Sequence, residues 1–400
     1  MKKYILQILL ILSSFSVSAQ EKLNISDISA FAFDFEIIND SLVGDGADIL
    51  RQRIEQSQFF MLGEQHYSTQ ISELTNALLP ILARSNYKYF AIETGIHSAR
   101  KLIEEIHING SLLEFNSSFY KKYNWKPIPF FDGKEDEIFL KTAIHQGFEI
   151  WGIDQEYISS QLFLIDEIFN LSSNKEAILD EYYAVKSYLE KEFSILIKDN
   201  VSIFENILNS PLLIDFFKKC NNNQQQAIIK DLLASWKIYA ASGYTNNMMR
   251  MEYMKNVFAK NYKEANMGNV LPKVFFKMGS MHLGHGKNWL GVYDLGNMIY
   301  ELSQFNNTES ISITCFSRYT LEEDNSLDDY ILDEDGNTYR PLLDLAKKEK
   351  WTVINTSPIR KIVMDRYIEI HENLEKLIFN YDFIIFSPTR TTTTPNYISK

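Results

Sequence analysis

Short apolar runs recur along this chain, and each gives way to a polar residue or a glycine. Phe59 to Leu62 runs into Gly63-Glu64-Gln65-His66, Tyr89 to Ile92 into Glu93, and Phe148 to Ile153 into Asp154. Further on, Val274-Phe275-Phe276 leads towards His282, and Phe383 to Phe386 precedes Ser387-Pro388. A strand that is apolar on both faces has to be covered on both, as in a mainly parallel sheet between two layers of helices. The segment joining the first two runs supports this, because Ile71, Leu74, Leu78, Leu79 and Leu82 recur at helical spacing. Ile311 to Phe316 and Trp351 to Ile354 are weaker strand candidates. The expected fold class is α/β, with a mainly parallel central sheet flanked by helices.

From about residue 157 to 262 the strand pattern disappears. Leu162, Ile165, Ile168 and Phe169, then Leu179, Tyr182 and Tyr183, then Phe204, Ile207 and Leu208 trace amphipathic helices. A helical insertion or cap within a single α/β domain over residues 20–400 is expected. A second unusual stretch, Leu321 to Tyr339, carries eight acidic residues. Calcium binding by an EF-hand loop fails there: Gly336 at the sixth position would put Ile331 first and Leu342 twelfth, where acidic ligands are needed. A solvated surface loop is expected instead.

The net charge of -12 over 400 residues excludes the electrostatic footprint of a nucleic-acid binder and gives no attraction to anionic lipid. The first residues read as an export signal. Lys2 and Lys3 precede an apolar run from Tyr4 to Leu12, and Val17-Ser18-Ala19 suits cleavage before Gln20. That run is too short to span a bilayer, so no membrane anchor is expected after cleavage and the mature chain is placed in the periplasm or outside the cell. Losing the two lysines takes the formal charge from -12 to -14. Cys220 and Cys315 could pair after export, but their positions alone do not decide it.

Chemistry concentrates at the strand ends. A strand period of two puts Glu64 and His66 on one side of the backbone, at the carboxyl end where open α/β sheets place their sites. A carboxylate beside an imidazole orients it, raises its basicity and helps it take a proton from water; the same pair could ligate a metal ion. Glu93, Asp154 and His282 end or follow three further runs, and parallel strands bring such ends together. Gly-x-x-His occurs twice, at Gly63 to His66 and Gly279 to His282, with His285 three residues further on. No Gly-x-Ser-x-Gly elbow, His-Glu-x-x-His or phosphate loop is present, so standard serine hydrolase, zincin and nucleotide chemistries are not supported.

The order of these motifs resembles a superfamily that includes erythromycin esterases, ChaN-type haem-binding proteins and Tiki-type (TraB/GumN-like) metalloproteases. The landmarks are Leu62 to His66, Ala91-Ile92-Glu93, Trp151 to Asp154, then Arg250, Met254 and Asn256 in the helical region, Lys273 to Phe276 with His282, and Phe383 to Phe386. The esterase resemblance implies an exported hydrolase of ester or amide bonds in a small molecule or peptide. His66 would be the base, Glu64 and Glu93 would orient and polarise, His282 would complete the site, and Asp154, Arg250, His285 and Tyr67 would support it. The Tiki resemblance implies a divalent metal, with His66 and His282 as possible ligands. The ChaN resemblance implies haem or iron held by side chains such as Tyr67, and a non-catalytic exported module is the remaining alternative. Erythromycin esterases have one more residue between the acid and the histidine and then a glycine, where Tyr67 stands here, so no macrolide substrate is expected.

Overall fold

The computed structural model describes residues 22–268 and 270–398. The export signal read in residues 1–19 and its cleavage point before Gln20 lie outside them.

A nine-stranded sheet carries the chain. Its strands are β1 (Ala32–Ile38), β2 (Ser41–Val43), β3 (Ser57–Glu64), β4 (Tyr89–Gly95), β5 (Glu149–Asp154), β6 (Val274–Gly279), β7 (Glu309–Ser317), β10 (Trp351–Asn355) and β11 (Phe383–Ser387). Between β7 and β10 the short strands β8 (Tyr319–Leu321) and β9 (Leu327–Asp329) form a separate hairpin. The sheet order is β2-β1-β10-β11-β7-β3-β6-β4-β5. From β11 to β5 all neighbours are parallel, while β10, β1 and β2 add an antiparallel edge. The fold is α/β.

β3 shows why the apolar runs are continuous. Every residue of it is buried. Phe60 and Leu62 face a core shared with Leu74 and Leu78 of the helix Thr69–Arg84. Phe59 and Met61 face the other way, onto Met254 and Phe258 of the helix Gly243–Ala265. Each such side chain stabilises the fold by about 1.5–3 kcal/mol, so neither face of the strand tolerates a polar swap.

Between β5 and β6 the regular elements among the described residues are all helices, from Gln161–Asn170 to Gly243–Ala265. Leu162, Leu189, Phe204 and Trp236 from this region belong to the same core as Phe60. β6 then returns between β3 and β4, so the ends of β3, β6, β4 and β5 stand side by side.

The acidic stretch from Leu321 differs from a simple solvated loop. Leu321 pairs with Leu327 in the hairpin, a short helix follows at Glu334–Thr338, and Ile331 is buried. Arg318 grips Asp329 through Nε and Nη2 at 2.8 and 3.0 Å, and apolar anchors such as Ile331 and Leu342 tie the segment down. Cys220 and Cys315 are both free and buried, so no bridge joins them.

Candidate functional site

Four neighbouring strand ends deliver the polar groups. β3 and β6 run in register with Glu64 opposite Gly279, and β4 and β5 pair Gly95 with Asp154. Glu64 Oε1 lies 3.3 Å from His66 Nδ1, so the carboxylate orients the ring. The other ring nitrogen, Nε2, faces Glu93 Oε2 at 3.7 Å, too far for a hydrogen bond. Gly279 makes this approach possible, because a Cβ there would sit 2.9 Å from His66 Nε2. Its N–H donates to Glu93 Oε2 at 2.5 Å.

Glu93 is the hub. Arg250 Nη2 donates to its Oε1 at 2.7 Å, and His282 Nε2 stands 3.5 Å from the same oxygen. Arg250 also holds Asp154 through Nε and Nη2 at 3.0 and 2.5 Å, a two-point grip suited to its planar fork. Among the described residues no hydrogen bond uses its Nη1. His282 is fixed from behind by Asp294, whose Oδ2 is 2.9 Å from Nδ1. Asp294 also caps the helix Leu295–Phe305.

Charge state follows from this packing. Burial by itself would raise the carboxyl of Glu64, but the Lys277 ammonium and His66 outweigh it and bring its pKa down to about 2. Lys277 Nζ donates to Glu64 Oε2 at 2.6 Å, and both side chains are about 95% shielded, with 4% and 5% exposed. Glu93 is likewise held well below the usual carboxylate range: burial opposes ionisation, and His282, His66 and Arg250 prevail. Burial lowers the basicity of both histidines, yet their acidic neighbours win. His66 is raised above 6.5 by Glu64 and Glu93, and His282 is raised to about 9 by Glu93 and Asp294.

The cluster opens into a cleft of about 420 Å³ lined by His66, Tyr67, Glu93, Asp154, Tyr239 and Arg250 among others. Of the two site histidines His66 is the more accessible, with 30% of the side chain exposed against 10% for His282. Phe130 stacks on it with centroids 3.9 Å apart and planes at 12°. Tyr67 and Phe130 both adopt left-handed backbone angles, φ 60° and 64°, which cost bulky residues about 1–3 kcal/mol each. Strain of that kind survives where surrounding packing fixes a side chain for use.

The structure thus brings Glu64, His66, Glu93, Asp154, Arg250 and His282 into one network, with Tyr67 on the cleft wall. His285 is a correction. It leaves the site, stacks on Tyr300 at 4.6 Å and lies 3.6 Å from Asp382, because the turn after His282 carries it towards the Asn380 backbone. Sequence reasoning missed Lys277, Asp294 and Phe130. A lysine inside Val274-Phe275-Phe276-Lys277-Met278 was a usable signal, since lysines are almost never buried unpaired. Phe130 gave none.

Neither inferred cofactor fits these residues. Glu64 and Glu93 are already neutralised by Lys277, Arg250 and His282, cations that would repel a divalent ion. Among the described residues no group of three or more His, Cys, Asp or Glu side chains is arranged to hold a metal. For haem, the Tyr67 hydroxyl accepts from Lys126 Nζ at 2.8 Å, and the His66 ring is covered by Phe130 with both nitrogens turned to carboxylates.

No family model matches the chain, and no curated protein is significantly similar to it in sequence. Solved structures do match. A succinoglycan biosynthesis protein superposes with a TM-score of 0.58 at 13% identity, over 92% of this chain and 97% of that one. A Bacillus cereus protein gives 0.54 at 14%, over 93% and 98%. The structural neighbours also include an erythromycin esterase, EreC, in its open conformation (0.46 at 14%, over 86% and 94%) and a haem-binding ChaN of Campylobacter jejuni (0.34 at 11%, over 90% and 97%). The succinoglycan biosynthesis protein and the Bacillus cereus protein match from end to end, and at such low identity what they share with this chain is its α/β fold.

Proposed function

We propose that this chain is a hydrolase that uses His66 to activate water against an ester or amide carbonyl. The observation that carries the reading is the placement of His66. It is held through Nδ1 by an ionised, buried Glu64, while Nε2 faces an accessible cleft without a hydrogen bond among the described residues. In the proposed reaction Nε2 takes a proton from water as the water oxygen bonds to the carbonyl carbon. The carbon–oxygen or carbon–nitrogen bond then breaks, and the same proton passes from His66 to the leaving group. Arg250 Nη1, on the cleft wall, is free to meet the negative charge that develops on the carbonyl oxygen. Glu93 holds Arg250 and His282 in position. Its own charge is balanced by them, so it does not repel that oxygen.

His66→Ala is expected to lower kcat on a panel of simple esters by about 10²–10⁴-fold with the fold intact by circular dichroism. Hydrolysis of the panel at wild-type rate by that variant would sink the reading.

A further inference from the structure

A second cleft opens on the other side of the β3 end. It encloses about 450 Å³ between the carboxyl ends of β3 and β7 and the acidic segment that follows β7. Glu64 and Gln65 reach its wall, whereas His66 faces the first cleft. The residues that distinguish it come from outside the proposed hydrolytic machinery.

Four aromatic side chains, Trp289, Phe316, Tyr330 and Tyr339, line this cleft, the two tyrosine rings with centroids 6.4 Å apart. Against them stand Glu322 and Asp328, both exposed. The hairpin register sets Asp328 opposite Thr320, which also lines the cleft, so the β8–β9 pairing aims this part of the acidic stretch inward. Neither carboxylate takes part in an ion pair among the described residues. The arginine nearest the hairpin is already committed, because Arg318 grips Asp329 and reaches Asp344 at 3.6 Å. Arg390 is the cation of the cleft. Its Nη2 is anchored on the carbonyl oxygens of His66 and Tyr67, and it feels the charge of Glu322.

These charges do not cancel. Arg390 offsets Glu322, and Lys277 offsets Glu64, which leaves Asp328 without a counter-ion beside the aromatic rings. Aromatic faces attract cations through the ring quadrupole, and a free carboxylate adds Coulomb attraction. An anion would meet Asp328 and Glu322, and a neutral ring would leave Asp328 unpaired. The net charge of -12 also draws cations towards the surface from a distance.

We propose that this second cleft is a binding site for an organic cation, a small molecule bearing a substituted ammonium group. The ammonium lies against Trp289, Tyr330 and Tyr339 with Asp328 as its counter-ion. The site does not depend on His66, and its occupancy is measured directly.

Isothermal titration calorimetry of the purified protein with choline and with tetramethylammonium tests it, with methyl glucoside as the neutral comparator. Choline is expected to bind with a Kd of about 1 mM, more weakly as salt is raised, and methyl glucoside not at all. Asp328→Asn, an exposed change that leaves the core alone, is expected to weaken choline about tenfold, and Trp289→Leu to abolish the heat. The proposal is overturned if neither cation binds, if methyl glucoside binds as well as choline, or if Asp328→Asn leaves the affinity unchanged. His66→Ala should bind choline as the wild type does, which separates a failure here from a failure of the hydrolase reading.

Discussion

Lys277→Met isolates the ion pair beneath the site. In the folded protein Glu64 has a pKa of about 2 against 4.5 for the free group, so it is ionised whenever the chain is unfolded at neutral pH and even more firmly ionised when folded. That shift is worth about 3 kcal/mol of stability, present above pH 4.5 and lost as pH falls through 2. Removing the ammonium leaves burial as the strongest influence on Glu64, with only His66 at 3.3 Å to oppose it. Its folded pKa then rises above 4.5 and the sign reverses: ionised Glu64 becomes a liability above the new pKa and is neutral below it. Breaking one partner out of a buried pair costs about 3–5 kcal/mol. The Lys277→Met variant is therefore expected to lose that much in urea unfolding at pH 7, and much less at pH 4. Glu64→Gln combined with Lys277→Met should recover most of the loss at pH 7, since two uncharged side chains leave no buried charge. A loss below about 1 kcal/mol at pH 7, or one that does not shrink on acidification, would refute the assignment of Lys277 as the group that keeps Glu64 ionised.

Three other outcomes are expected, two from the geometry and one from the sequence. The pH profile of kcat/KM on the ester panel should rise through a pKa above 6.5, as His66 loses its proton, and fall near 9, as His282 does; a profile flat from pH 6 to 10 contradicts it. Asp136, buried with only one carboxylate oxygen bonded, to Ser72 at 2.6 Å, has its pKa pushed up to about 7 by burial. The folded state therefore loses stability as pH rises from 3.8 to 7, and Asp136→Asn should be more stable than wild type by about 1–3 kcal/mol at pH 8 but not at pH 4, read from urea midpoints at the two pH values. Mass spectrometry of protein from an exporting host should find Gln20 at the mature N-terminus, and an intact leader would contradict the export reading.

The parts of the fold that were legible in the sequence are those where local pattern and burial agree. β3, β4 and β5 are apolar on both faces because helices cover both; β3 and β5 end on the marked Glu64 and Asp154, while β4 runs two residues past the marked Glu93 to Gly95. Of the antiparallel edge only β10 was marked, as the candidate Trp351 to Ile354; β1 and β2 were not legible. β1 alternates only loosely, with Asp34 and Glu36 facing lysines 347 and 350 rather than a core, so its membership of the sheet depends on pairing with β10 some 300 residues away. His285 misled for a related reason. Its spacing from His282 looks like a ligand pair, but the chain leaves the strand end in a tight turn, and no helix holds the two rings on one face. The acidic stretch misled by composition: its charges do meet water, yet the apolar residues between them fold it into a hairpin wall.

Most of the site was visible in the sequence; among its acids only Asp294, and among the groups that balance them only Lys277, were not. Glu64, Glu93, Asp154 and Asp294 bring four carboxylates to one network, against three cationic side chains, Lys277, Arg250 and His282. The fourth positive charge falls to His66, the more open of the two site histidines. Glu64 and Glu93 are the two of these acids that raise His66 above 6.5 despite burial that favours the neutral form. The raised basicity also constrains the chemistry. A base with a raised pKa is a stronger proton acceptor once free, and the field that raised it will favour the moment in the reaction when water's proton arrives on the ring. A motif search sees His66 beside an acid; only the fold shows that Lys277 answers Glu64, Arg250 answers Asp154, and His282 answers Glu93. His66, rather than His282, is the proton acceptor because Glu64 and Glu93 raise its basicity and its ring opens on the cleft.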